Sequence, residues 1–357
     1  MPIRQLRQSS RTSERTPAKL AARPWQYWFG DLTNDARPRE VHGVSARDGV
    51  ELALWRINGG GEPVLLLHGL GSNRLGFDWP GRSFAEWLAA RGYDVFLPEL
   101  RGHGWSERPR RSWDLDDYLT QDLPALLGAV RELSGHAQLH WMGHSMGGLL
   151  WFLLATHGEA RAVRSAVALG SALDYRPGAS GFRSLLGLKP LARRLPAVPY
   201  GALMHWLAPL FGRAHATPDA FNVQPSNIEA GLNRRLHANA FETIPIALLE
   251  QLSSAFEPSG LASRDGRVHY LDARHSLDAP TLLVAGSRDP QATLEAIRAS
   301  ASLLGREARV LELGRSHGCR DEYGHWDLLL GRRAPQEVWP KLLAWLEQHA
   351  FSTPPLP

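Results

Sequence analysis

Short apolar runs recur along the chain and alternate with longer stretches in which apolar residues follow the period of a helix. Residues 41–57 read as two alternating strands around the turn Asp48-Gly49, which is typical of a hairpin. Residues 63–67 are continuously apolar, as expected of a strand buried on both faces. Further strands are predicted at 93–97, 139–142, 163–169, 281–285 and 309–313, and helices at 83–90, 115–133, 293–304 and 338–349. This order predicts an α/β fold with a mostly parallel sheet and helices on both faces.

The alternation of strands and helices stops between residues 172 and 275. Helical periodicity appears there at 201–211, 229–238 and 246–256, broken by prolines and glycines and without a clear strand. A segment of this length is too long for a loop in a compact domain. Since it lies between two sheet strands, it is expected at the carboxyl edge of the sheet, where ligands bind in open α/β folds. We therefore predict a helical cap or lid, 172–275, inserted into a core formed by 23–171 and 276–357.

Composition narrows the classes of protein that remain. The chain has 357 residues, of which 43% are hydrophobic and 21% charged, as in an ordinary globular protein. The single cysteine, Cys319, excludes an internal disulfide framework and indicates a reducing compartment. The net charge of +4 is not accompanied by aromatic residues interleaved with basic ones, so no nucleic-acid partner is expected.

Residues 1–22 are polar and rich in arginine, and they are predicted to form a disordered basic tail. They lack the apolar core of a signal peptide, and no apolar run of the chain approaches the ~20 residues of a membrane-spanning helix. A cytoplasmic location is therefore expected. The basic tail leaves weak contact with a membrane surface or lipid open, and the sequence does not indicate an oligomeric state.

One motif carries candidate chemistry directly. Gly143-x-Ser145-x-Gly147 follows the predicted strand 139–142 and precedes a helical run. A strand, a tight turn and a helix would expose the Ser145 hydroxyl at the tip of the turn, and glycines would relieve the crowding on either side. The N–H groups at the helix start would favour a developing oxyanion. The motif therefore indicates a nucleophile, and the alternative is a turn that only joins two elements.

A serine nucleophile also needs two oxyanion donors, and the strand 63–67 ends in a suitable turn. Gly69 allows the chain to turn sharply after His68, which directs the N–H of Leu70 toward the site. The second donor would be the N–H of Met146, the residue after the nucleophile. His68 could itself serve as a base, but a structural role is favoured because of its position at the strand end.

The remaining partners are expected after the last two strands. Asp289 lies in the loop that follows the strand 281–285, and the chain order Ser, Asp, His suits an acid at this place. Two histidines, His317 and His325, follow the final strand, and either could be the base. No HExxH or CxxC motif and no tight Asp/His cluster occurs, so neither a metal nor another cofactor is expected.

These segments together resemble the α/β-hydrolase superfamily. The resemblance rests on His68-Gly69-Leu70, on 100–106 (LRGHGWS), on 143–148 (GHSMGG), and on the late Asp and His. The tail 323–331 (YGHWDLLLG) with 334–338 (APQEV) is similar to the acid-lipase-like branch. In that branch the His before x-Asp is catalytic, which implies His325 as base and leaves His317 as the alternative.

The resemblance and the residues imply a carboxylesterase- or lipase-type serine hydrolase with Ser145, Asp289 and His325 as its triad. Its expected substrate is a small-molecule ester with an apolar or medium-to-long acyl chain, cleaved through an acyl-enzyme. The same triad would also serve a thioesterase, amidase or acyltransferase. A catalytically silent binding protein with this fold is the rival outside the enzymes.

Overall fold

The computed structural model describes residues 3–5, 37–156, 159–185, 195–212, 217–272, 277 and 279–351. The strands are β1 Ile3–Gln5, β2 Glu40–Ser45, β3 Glu51–Ile57, β4 Pro63–Leu67, β5 Asp78–Trp79, β6 Arg82–Ser83, β7 Asp94–Glu99, β8 Leu139–His144, β9 Val163–Leu169, β10 Ala197–Val198, β11 Ile244–Pro245, β12 Thr281–Gly286 and β13 Ala308–Leu313.

The helices are α1 Phe84–Ala89; α2, composed of Leu115–Asp117, a π-helical turn Tyr118–Asp122, and Leu123–Ser134; α3 Met146–Ala155; α4 Gly181–Leu185; α5 Tyr200–Leu207; α6 Thr217–Asn222; α7 Ala230–Asn239; α8 Ile246–Ser253; α9 Leu294–Leu304; α10 Asp327–Leu330; α11 Ala334–Glu337; and α12 Trp339–Gln348. Short 3₁₀ turns lie at Arg74–Gly76, Glu159–Ala162, Ala208–Leu210, Pro225–Asn227, Ser254–Phe256, Gly305–Glu307 and Arg315–His317.

The main sheet has nine strands in the order β1-β2-β3-β7-β4-β8-β9-β12-β13. The pairs from β1 to β7 are antiparallel, and every pair from β7 to β13 is parallel. The predicted hairpin and the predicted, mostly parallel α/β sheet are therefore confirmed. Because the carboxyl ends of parallel strands meet at one edge, the loops after β4, β8, β9 and β12 converge there.

Apolar cores lie on both faces of this sheet. Along β4, Leu65 and Leu67 face one core, while Val64 and Leu66 face the other. Helices α2, α3 and α9 contribute to the first core, and α1, α10 and α12 to the second. This two-sided burial explains why β4 is continuously apolar rather than alternating.

Two details differ from the expectations. Ile3–Gln5, placed by the sequence in a disordered tail, form strand β1 and pair with residues 42–44 of β2. The rest of that tail lies outside the described residues. The segment 172–275 contains a strand pair, β10 with β11, where no clear strand was predicted. Each of these strands is only two or three residues long and pairs through its backbone. Such a length is too short for an alternation of apolar and polar side chains to indicate a strand.

The segment 172–275 contacts the carboxyl edge of the sheet. The N–H of Glu242 donates to the carbonyl of Gly71 over 2.7 Å, and Phe241 pairs with Ser72 in an isolated bridge. Its role as a cap or lid remains a prediction, but these contacts join it to the loop after β4. No helix within the described ranges combines the length and apolar character needed to cross a membrane.

Candidate active site

Ser145 occupies a strained turn between β8 and α3. Its backbone has φ 55° and ψ −122°, and it is the only non-glycine residue of the described chain with positive φ. Such a conformation is costly and persists where the surroundings enforce it. Here the N–H of Ser145 donates to the carbonyl of Leu169 at the end of β9 over 2.8 Å. The predicted strand-turn-helix setting of Ser145 is thus present.

Glycines around this turn sit where no side chain fits. A Cβ on Gly143 would lie 2.1 Å from the carbonyl carbon of Gly147, and a Cβ on Gly147 would lie 2.3 Å from the carbonyl oxygen of Leu67. A Cβ on Gly69 would lie 2.9 Å from the Cβ of Ser145. The loop after β4 therefore approaches Ser145 closely, which explains the glycines that the sequence singled out.

Asp289 and His325 form a buried hydrogen-bonded pair. The Nδ1–H of His325 donates to Asp289 Oδ2 over 2.7 Å, and the His325 residue is only 2% exposed. The other oxygen, Asp289 Oδ1, accepts the N–H groups of Gln291 at 2.8 Å and Ala292 at 3.2 Å. The carboxylate is thus fixed from both sides, so it can fix the orientation of the imidazole.

This pair lies beside the serine turn. A Cβ on Gly170, one residue after the Leu169 that holds Ser145, would lie 3.0 Å from Asp289 Oδ2 and 3.1 Å from His325 Nδ1. His144, directly before Ser145, donates its Nε2–H to the carbonyl of His325 over 3.1 Å. Burial, and the neighbouring His325, hold the pKa of His144 well below its usual value, so His144 is neutral.

The hydroxyl of Ser145 makes no hydrogen bond to another described residue, His325 included. Catalytic hydrogen bonds are often long in unliganded sites and shorten when substrate binds. The arrangement is therefore a pre-formed Asp–His pair next to a strained serine whose hydroxyl has no hydrogen-bond partner among the described residues.

The structure separates the two candidate bases. His317 lies at the surface, where its Nε2 is 2.7 Å from Glu312 Oε2 and its Nδ1 is 3.1 Å from the hydroxyl of Ser316. Asp289 is bonded to His325 instead. Of the two histidines, only His325 is brought to the serine turn.

The two predicted oxyanion donors are Met146, which directly follows Ser145, and Leu70, which follows the Gly69 that lies against Ser145. Met146 is the first residue of α3, so its N–H has no acceptor within the helix. Neither this N–H nor that of Leu70 donates to an acceptor within the described ranges. Their role as oxyanion donors remains a prediction.

His68 is buried and both of its ring nitrogens are used. Its Nε2 accepts the N–H of Leu100 over 3.1 Å, which leaves Nδ1–H to donate to the carbonyl of Gly69 over 2.9 Å. Burial, with a smaller effect of His103, lowers the pKa of His68 to about 3. His68 is therefore neutral, and it connects the end of β4 to the end of β7. This agrees with the structural role that the sequence favoured for it.

Three polar residues that sequence reasoning missed also converge here: Asn222, Gln291 and Asp327. Asp327 is buried, and its carboxylate accepts the N–H groups of Gly324 and Gln224 and the side-chain amide of Asn227. Burial raises the pKa of Asp327 to about 6. The His-x-Asp spacing was the available signal for Asp327. Nothing in the local sequence marked Asn222 or Gln291.

Among the described residues, no group of three or more His, Cys, Asp or Glu side chains is arranged so that it could hold a metal ion. The carboxyl edge carries a serine in a strained turn, a histidine hydrogen-bonded to a buried aspartate, and two backbone N–H groups without an acceptor among the described residues. These are the parts that acyl transfer through a serine requires.

Comparison with known proteins identifies the class. A model of the alpha/beta hydrolase fold family matches residues 62–318, and the chain belongs to this family. Within it, the chain is an alpha/beta hydrolase with lipase and esterase similarity. The predicted superfamily and the lipase- or esterase-type enzyme class are thereby confirmed.

The individual similarities are distant. Human lipase member K is 25% identical over 87% of this chain and 88% of its own length. Lipase 1 of Drosophila melanogaster is 36% identical over 33% of this chain and 29% of its own length. Two solved structures share the fold. A bacterial membrane phospholipase A has a TM-score of 0.58 at 24% identity, covering 87% of this chain and 86% of its own. An esterase from Thermogutta terrifontis has a TM-score of 0.57 at 19% identity, covering 87% and 99%.

Proposed function

We propose that this protein hydrolyses carboxylic esters through an acyl-enzyme on Ser145. The observation that carries the proposal is the 2.7 Å bond from His325 Nδ1 to Asp289 beside the strained serine turn. Because Nδ1 bears the proton in this bond, Nε2 of neutral His325 has a free lone pair. That lone pair can accept the hydroxyl proton of Ser145.

The reaction follows from these positions. His325 Nε2 takes the proton as Ser145 Oγ attacks the ester carbonyl, and the N–H groups of Leu70 and Met146 stabilise the resulting oxyanion. The charged imidazole, stabilised by Asp289, then returns the proton to the leaving alcohol, and the acyl group remains on Ser145. Water, activated by His325, releases the acid and restores the serine. Loss of one oxyanion donor typically costs on the order of 3 kcal/mol.

Apolar acyl chains are the proposed substrates. Phe241 and Ile244 of the segment 172–275 pack at the carboxyl edge, where the Phe241 ring meets Trp326 with centroids 5.3 Å apart. Several relatives that match about a third of the chain are named gastric triacylglycerol lipases. Both observations favour an apolar ester over a small polar one.

The test is hydrolysis of p-nitrophenyl esters from acetate to palmitate. Wild-type protein, Ser145→Ala, His325→Ala and the matched control His317→Ala are compared after their folding has been checked by thermal unfolding. We expect turnover to collapse in the first two variants and to persist in His317→Ala, with the fastest rate at a medium or long chain.

Contrary results are equally informative. Loss of turnover in His317→Ala alone would indicate that His317, rather than His325, is the base. No turnover of any ester, combined with covalent labelling of Ser145 by a fluorophosphonate, would favour a thioester, amide or acyl-transfer substrate. Failure of both turnover and labelling in folded protein would refute the hydrolase proposal and favour a silent binding protein.

A further inference from the structure

A buried polar side chain from the segment 172–275 contacts both loops of the Asp289–His325 pair. Asn222 ends helix α6 and is 4% exposed. Its backbone carbonyl accepts the N–H of Trp326, the residue after His325, over 2.9 Å. Its side-chain Oδ1 accepts Gln291 Nε2 over 3.1 Å. One residue thus contacts the loop of the base and the loop of the acid.

Gln291 transmits the second contact to the carboxylate. Its backbone N–H donates to Asp289 Oδ1 over 2.8 Å. Its side-chain Nε2 donates both to Asn222 Oδ1 and, over 2.8 Å, to the carbonyl of Phe221. Gln291 is therefore held at both ends, and two hydrogen bonds separate Asn222 from Asp289.

The orientation of the Asn222 amide is determined by its other neighbour. His237 Nδ1 faces the carbonyl of Asn233 at 2.9 Å, so it must carry the proton, and Nε2 must be an acceptor. Asn222 Nδ2 donates to that Nε2 over 3.0 Å. Since the nitrogen of the amide faces His237, the oxygen must face Gln291.

His237 remains a hydrogen-bond acceptor for Asn222 near neutral pH. His237 is buried, and its ring stacks on Phe211 with centroids 3.6 Å apart. Burial lowers the pKa of His237 to about 4, so the ring is neutral near pH 7. Every partner of Asn222 is thus buried and polar, which opposes movement of its amide.

We infer that Asn222 is a positioning residue for the Asp289–His325 pair, an inference that rests on the proposed hydrolase function. Without Oδ1, the amide of Gln291 keeps only the carbonyl of Phe221, and the loop that carries Asp289 gains freedom. A misplacement of about 1 Å can cost on the order of 100-fold in rate. Asn222 touches neither substrate nor reacting atoms, so its removal should lower kcat and leave KM nearly unchanged.

The experiment compares Asn222→Ala with the matched control Asn233→Ala. Asn233 is also buried in the segment 172–275, but its side-chain amide donates to Asp219 and not to the loop of Asp289. We expect kcat on a p-nitrophenyl ester to fall about 10- to 100-fold in Asn222→Ala. Asn233→Ala should stay within about twofold.

Two further readouts separate positioning from general destabilisation. The proton NMR resonance of His325 Nδ1–H, recorded in the free protein, should shift or broaden in Asn222→Ala only. Combining Asn222→Ala with Gln291→Met should be no slower than the slower single variant, because both changes break the same hydrogen bond. Gln291→Met keeps the backbone N–H on Asp289, so it also carries the test if Asn222→Ala does not fold.

Wild-type kcat and an unchanged resonance in Gln291→Met or folded Asn222→Ala would overturn the inference. Equal losses in Asn233→Ala would also overturn it, because they would indicate a general loss of structure. If wild-type protein neither turns over an ester nor reacts with a fluorophosphonate, the proposed function fails. The resonance comparison would still decide whether Asn222 orders the Asp289–His325 pair.

Discussion

Replacing Asp289 by asparagine should trap His325 in the wrong tautomer. Asp289 Oδ1 accepts two backbone N–H groups, from Gln291 and Ala292, and Oδ2 accepts the Nδ1–H of His325. The amide of asparagine can present its oxygen to only one of these sides. Turning the oxygen to His325 would leave two buried N–H groups without an acceptor, at about 1–3 kcal/mol each.

The other orientation keeps every hydrogen bond but moves a proton. With its oxygen on the backbone N–H groups, the amide nitrogen of the new side chain donates to His325 Nδ1. The imidazole proton must then reside on Nε2, which can no longer accept the hydroxyl proton of Ser145. We therefore expect Asp289→Asn to lower kcat on the order of 10⁴-fold, or about 5 kcal/mol in activation free energy.

The assay is p-nitrophenyl ester hydrolysis at neutral pH, with Glu312→Gln as the control. Glu312 is paired with His317 over 2.7 Å at the surface, so Glu312→Gln makes the same acid-to-amide change beside the other candidate histidine. Asp289→Asn should keep its unfolding temperature within a few degrees and lose activity, while Glu312→Gln keeps activity. A rate for Asp289→Asn within tenfold of wild type would refute the tautomer argument. A comparable loss in Glu312→Gln would locate the base at His317.

Further predictions concern folding. Gly147→Ala would place a Cβ 2.3 Å from the backbone oxygen of Leu67, which no rotamer can relieve, so thermal unfolding should show a large loss of stability. The control Gly128→Ala is exposed on α2 with nothing within 4 Å, and should stabilise the protein by about 0.5–1 kcal/mol. Burial holds the pKa of His68 at about 3 and of His237 at about 4 in the folded protein, below the unfolded value of 6.5. As the pH falls below 6.5, the unfolded chain binds protons that the folded protein does not, so each histidine should reduce the unfolding free energy by about 1.4 kcal/mol per pH unit. Urea unfolding from pH 7 to 4.5 measures this slope, which should become shallower in His237→Gln; an unchanged slope would contradict the assignment.

Features set by local pattern could be predicted from the sequence. The strands of the sheet and the turn at Ser145 follow from short apolar runs and flanking glycines, because adjacent residues determine both. The loop position of Asp289 could be inferred from the strand before it. Local pattern alone did not separate His317 from His325, because the two lie in one loop region and differ only in what folding brings beside them.

Features held by remote backbone contacts were missed. Strand β1 exists because three polar or half-buried residues pair with the free edge of β2, and its side chains carry no alternation that would indicate this. Asn222 and Gln291 are separated by 69 positions, and their contact depends on a fold in which α6 reaches the loop after β12. A single sequence contains no spacing from which such a contact could be read.

The placement of α6 changes what the segment 172–275 can do. Within this segment, Asn222 contacts the loop of Asp289 through its hydrogen bond to Gln291. The N–H of Gln224 and the side-chain amide of Asn227 contact the loop of His325 through Asp327. A segment that only covered the substrate would affect acyl-chain preference and KM. One that also fixes both loops can change kcat from positions that never touch the substrate. Exchanging this segment with that of a relative should therefore alter catalysis as well as specificity, unless the residues at 222, 224 and 227 are retained.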